Sequence, residues 1–126
     1  MTRARIKSDK LPKSKGKVEF KIQVRGEVNF TGFGARQRVN RHLFLYVGNM
    51  LRAGEPDLLV SDGALEWEVP IIYSLPDHGD LGVVGHFFVD AQNGDLKLKE
   101  STPIEEIEAH VSRLHQKATS QAGDQH

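Results

Sequence analysis

The chain has 126 residues, 38% of them hydrophobic and 27% charged, which fits one globular domain built on a single core. Its 17 lysines and arginines balance 17 aspartates and glutamates, and it has no cysteine. A disulfide scaffold, a thiolate zinc site and a cysteine nucleophile are therefore excluded, and no apolar run approaches the roughly 18 residues that span a bilayer.

The basic start, MTRARIKSDK, lacks the apolar stretch of a secretory leader, so a cytoplasmic location is expected. Up to residue 17 the charges are Arg3, Arg5, Lys7, Lys10, Lys13, Lys15 and Lys17 against Asp9 alone. With little apolar surface to offset the entropy of ordering, residues 1–17 are predicted to form a flexible basic arm. Such an arm either attracts phosphate backbones through counterion release or serves only as a solubilising terminus. The whole chain shares this lopsidedness. Residues 1–52 carry 13 basic and 3 acidic side chains, a balance of +10, whereas residues 53–126 carry 4 and 14, a balance of −10. Either the halves neutralise each other within one molecule, or they serve an anionic partner or association of like molecules.

Residues 17–25 alternate strictly, with Val18, Phe20, Ile22 and Val24 on one face, and Val28 and Phe30 keep that parity beyond Gly26. The pattern predicts either one long strand bent at Gly26 or two short strands. Gly32-Phe33-Gly34 then turns into a helix predicted over Ala35–Ala53 and stopped by Gly54 and Pro56. On a helical wheel Val39, Leu43, Tyr46, Val47, Met50 and Leu51 span about 140°, while Arg38, Arg41 and Arg52 cluster opposite within about 60°. Asp57–Ser61 reads as a strand and Asp62-Gly63 as a two-residue hairpin turn. In the next strand Leu65, Trp67, Val69 and Ile71 alternate with Glu66, Glu68, Pro70 and Ile72, and Pro70 marks an edge or a bulge. Residues 81–90 read as the central strand, Asn93-Gly94 as a turn, and Leu96 and Leu98 as part of a last strand. Thr102, Pro103 and Glu105 form a capping-box start to a final helix with Ile104, Ile107, Val111 and Leu114 as its stripe. The predicted architecture is α+β, in the order β-α-β-β-β-α: an antiparallel sheet of about four strands, a long helix packed on one face and a C-terminal helix. The domain is predicted to span residues 18–118, with a disordered tail at 119–126.

Few residues point to chemistry. Gly32-Phe33-Gly34-Ala35-Arg36 is either an ordinary strand-to-helix turn or an anion site of backbone amides assisted by Arg36, Arg38 and Arg41. His110 pairs with Glu106 at helical spacing, but His115 falls on another side, so the helical zinc pattern fails. His86 with Asp77 or Asp80 is the minimum for acid–base work, without a third group at a defined spacing. Glu66 and Glu68 share a wet strand face, and the parity of Trp67 assigns it to the core.

The runs Trp67-Glu68-Val69-Pro70-Ile71, Gly82-Val83-Val84-Gly85 and Val89-Asp90-Ala91-Gln92-Asn93-Gly94 resemble those of PepSY-type domains and related small prokaryotic proteins. The resemblance covers about half of the chain and implies a helix followed by a three-stranded sheet over Ala35–Leu98. It also implies a non-catalytic binding or regulatory module, and it brings no catalytic residues. The basic arm and the 18–30 segment depart from that pattern.

The expectation is thus a small non-catalytic cytosolic module acting through protein contacts, self-association included, with Arg52, Glu66 and Glu68 as partner-binding residues and no metal or cofactor. The alternative is a nucleic-acid accessory protein using Arg3, Arg5, Lys7, Lys13, Lys15, Lys17, Gly34, Arg36, Arg38 and Arg41. A hydrolase using His86 with Asp77 or Asp80 is a third reading.

Overall fold

A computed structural model describes residues 4–7, 16–20, 24–48, 50–61 and 63–123. Among these residues, seven strands and two helices follow in the order β1 (Ala4–Lys7), β2 (Gly16–Phe20), β3 (Val24–Val28), α1 (Gly32–Tyr46), β4 (Leu51–Ala53), β5 (Asp57–Ser61), β6 (Ala64–Leu75), β7 (Gly79–Asp90) and α2 (Ile104–Gly123). The α+β expectation holds: β1, β4, β5, β6 and β7 form one antiparallel sheet and the helices pack against it.

The alternation read in the sequence builds the sheet around β6. Its Trp67, Val69, Ile71 and Tyr73 are buried on one face with Val84, Phe87 and Val89 of β7, Leu58 and Val60 of β5, Val39 and Leu43 of α1, and Ile107 of α2. Truncating Trp67 or Phe87 to alanine costs on the order of 3–5 kcal/mol, because each is fully enclosed. The Trp67 indole also donates to the Phe30 carbonyl oxygen (2.6 Å), satisfying the polar atom of this buried ring. Gly63, at φ +72°, lies in the turn joining Ser61 to its register partner Ala64, as the Asp-Gly signal predicts.

Several boundaries differ from those expected. The 18–30 segment is two short strands, β2 and β3, paired as a separate hairpin in which Gly26 faces Val18. Helix α1 begins three residues earlier than expected, at Gly32, because the Thr31 hydroxyl caps it by accepting the Gly34 N–H (3.0 Å). It ends at Tyr46 instead of Ala53: the Val47 and Gly48 amides both donate to the Leu43 carbonyl, and Leu51–Ala53 then pairs with β6. The centre of the sheet is β6, not residues 81–90, and Pro70 sits in its interior rather than at an edge. The Pro70 carbonyl accepts from the Gly54 amide (2.8 Å), so its missing N–H faces the gap between β4 and β5, where no ladder bond is required.

The anticipated last strand at Leu96 and Leu98 is reduced to a single bridge between Leu96 and Val89. At the outer edge of β7 the N–H groups are instead satisfied by hydroxyls, Thr102 accepting from His86 (2.9 Å) and Ser101 from Phe88 (3.0 Å), while the His86 and Phe88 carbonyls accept from the Thr102 and Lys97 amides. Thr102 therefore stitches the start of α2 to β7. The arm and tail predictions also change. Ala4–Lys7 is an edge strand on β5, and α2 runs through residues 119–123. The remaining parts of the predicted arm and tail, 1–3, 8–15 and 124–126, lie outside the described residues.

Candidate protein-binding face

Three cations of the predicted site, Arg5, Lys7 and Arg36, are spent on internal bonds. Arg5 donates to Asp57 Oδ2 (2.6 Å) and to Glu68, and Lys7 lies 3.0 Å from Asp57 Oδ1. The register explains this: Lys7 faces Asp57 across β1–β5, and Asp57 faces Glu68 across β5–β6. The hydrogen bond to Glu68, then that to Asp57, raises the Arg5 pKa. Besides its ladder to β5, Ala4–Lys7 is thus held by buried Asp57 and by half-buried Glu68, which the sequence pattern placed on a solvated face. Arg36 bonds the Ala53 carbonyl through Nε (3.1 Å) and lies 3.5 Å from Glu55, tying α1 to β4.

Gly34 does not offer an open anion site, since its amide serves the Thr31 cap and a Cβ there would lie 3.3 Å from the Phe30 ring. Arg3, Lys13 and Lys15 lie outside the described residues, and Lys17 is placed in β2 by its backbone alone.

The expected partner-binding trio is likewise engaged internally. Arg52 lies in β4, away from Arg38 and Arg41, and pairs with Asp80. Glu66 is buried and bonded by Lys97 Nζ (3.1 Å), and Glu68 holds Arg5. Burial alone lowers the Lys97 pKa, but the hydrogen bond and charge of Glu66, aided by Glu100 and Asp90, raise it overall.

The acid–base candidates are dispersed. His86 stands opposite Pro70 and Asp80 opposite Ser74, four residues along β6, or roughly 13 Å at the strand rise. Asp80 bonds Ser74 (2.5 Å) and Arg52; the Ser74 hydrogen bond is the main cause of its lowered pKa. Asp77 is exposed in the turn before β7. His110 contacts Arg113 rather than the expected Glu106. No group of three histidine or carboxylate side chains suited to a metal occurs among the described residues.

Of the predicted site residues with described side chains, Arg38 and Arg41 remain outward, on one face of α1. Phe33, Gln37, Arg38, Arg41, Phe44 and Leu45 are all exposed and fall within about 140° of the helical wheel. Phe44 is 76% accessible and Phe33 64%. Arg38 and Arg41 make no ion pair among the described residues. Together with His42, Leu45 and Leu96 they line a groove of about 300 Å³. His42 marks the boundary of this face. Its ring is half-buried against Phe87, at 5.4 Å between centroids, and burial, followed by the Arg38 charge, lowers its pKa.

The predicted two-sided helix is present, but the aromatic part of its outer face was missed. The signal was available: Phe33, Phe44 and Leu45 lie out of phase with the Val39–Leu43 stripe. A second feature escaped the sequence reading, the Tyr73 hydroxyl bonded to His115 Nδ1 (3.0 Å). Tyr73 borders an apolar cleft of about 420 Å³ between the end of α1 and α2.

No known family model, curated protein or solved structure matches the chain. No helix among the described residues is long and apolar enough to cross a membrane.

Proposed function

We propose that this chain is a small, non-catalytic cytosolic module that acts through protein contacts, with the outer face of α1 as its docking surface. One observation carries the reading. Three exposed large apolar side chains, Phe33, Phe44 and Leu45, share that face with two arginines lacking an ion pair among the described residues. Clustered apolar exposure with a charged rim marks contact sites, and aromatic and arginine side chains dominate binding hot spots. The dispersal of His86, Asp77 and Asp80 supports a binding role over a hydrolytic one. The nucleic-acid alternative loses Arg5, Lys7 and Arg36 to internal partners. The PepSY-type resemblance belongs to the same reading.

Site-specific photo-crosslinking in intact cells tests it. A benzoylphenylalanine in place of Phe44 yields a discrete covalent protein adduct, which disappears with Arg38→Glu and Arg41→Glu. The same probe at exposed Val83 yields none. Adducts at Val83 with none at Phe44 contradict the assignment.

A further inference from the structure

We propose that the surface docking on α1 is the start of α2 of a second copy of this chain, in a two-fold symmetric dimer. The inference rests on α1 being the docking face and names its occupant.

The argument is one of charge left over after folding. The basic first half and the acidic second half neutralise each other in part through the pairs of Arg5, Lys7, Arg36 and Arg52 with Asp57, Glu68, Glu55 and Asp80. Arg38 and Arg41 remain on α1. On α2, Glu105, Glu106 and Glu108 remain: all are exposed, none has an ion pair among the described residues, and Glu105 and Glu108 share one side of the helix.

The two remainders match in more than sign. Glu105, Glu108 and Ser112 lie within about 100° of exposed Ile104 on the wheel, so an apolar side chain sits among carboxylates. Phe44 and Leu45 sit among guanidiniums in the same way. Each copy therefore carries both a cationic–aromatic face and an acidic–aliphatic one. A two-fold axis makes each α1–α2 contact occur twice, so residue i meets j and j meets i. Doubling helps two narrow helix faces reach the roughly 800 Å² per partner of stable interfaces. Charge complementarity of this kind fixes register and suppresses the competing α1–α1 and α2–α2 pairings.

Light scattering during size exclusion of the full chain, at about 100 µM, tests the proposal. The expected mass is twice 14.1 kDa. Arg41→Glu on one variant, and Glu105→Arg with Glu108→Arg on another, each weaken dimerisation about tenfold or more. Mixing the two restores it, because both contacts in the mixed dimer again join opposite charges. As a check independent of any variant, wild-type dimer weakens as sodium chloride rises from about 0.05 to 0.5 M, as the Debye length contracts. A monomeric wild type, a dimer indifferent to both charge reversals and to salt, or folded variants that stay monomeric when mixed would overturn the dimer. A monomer that still gives a Phe44 adduct with a different protein removes the second copy as occupant while leaving α1 as the docking face. A dimer that gives no Phe44 adduct removes both.

Discussion

His42 sits where the proposed docking face meets the core, and its chemistry follows from that position. Packed on Phe87 and close to Arg38, it has a pKa below its ordinary 6.5, with burial as the larger cause. The unfolded chain therefore binds this proton more tightly than the folded one. The stability associated with neutral His42 is fully present above pH 6.5 and is lost as the pH falls through the lowered folded value. Urea unfolding followed from about pH 7.5 to about pH 5 should show declining stability, with a shallower decline in His42→Phe. An identical slope in that variant would remove His42 as its source. Little of this was legible in the sequence, because His42 belongs to neither the apolar nor the arginine arc until Phe87 is brought beneath it. Gly94 teaches the complementary lesson. Its turn was readable from Asn93-Gly94, and its φ of +79° agrees. The crowding was not: a Cβ there would lie 2.9 Å from the Phe30 ring, contributed by a segment more than sixty positions away.

Elements were legible where local pattern and tertiary pairing agree, as in β5, β6 and β7. The end of α1 shows how they part. Met50 and Leu51 continue the helical spacing of Val39, Leu43 and Val47, yet Gly48 offers an earlier stop and β6 offers Leu51–Ala53 a ladder. The ladder prevails, and Arg52 leaves the arginine cluster. The β1 strand is the opposite case, since four residues with no long apolar pattern are ordered by what faces them. Its attachment is electrostatic in large part, and Arg5 is about half exposed, so solvent screening limits the clamp to about 1 kcal/mol. Arg5→Ala should accelerate hydrogen exchange of the β1 amides about fivefold, leaving β6 unchanged. High salt should move the wild type the same way, and undisturbed β1 protection in the variant would show that the strand is held by something else.

On the scale of the whole molecule, the two charged halves become intelligible only once the sheet is assembled. Sequence arithmetic exposed the asymmetry but could not say which charges meet, because Arg5, Asp57 and Glu68 are brought together by strand register. The acidic wet face of β6 is largely occupied by Arg5, Lys7 and Lys97, directly or through Asp57, so the proposed contact surface shifts to α1. That shift is the central claim. Hydroxyl-radical footprinting of the dilute purified chain against the same chain in intact cells measures it most directly. The account predicts that oxidation of Phe33 and Phe44 falls several-fold in cells relative to Val83, whereas equal labelling of all three in both settings would contradict it.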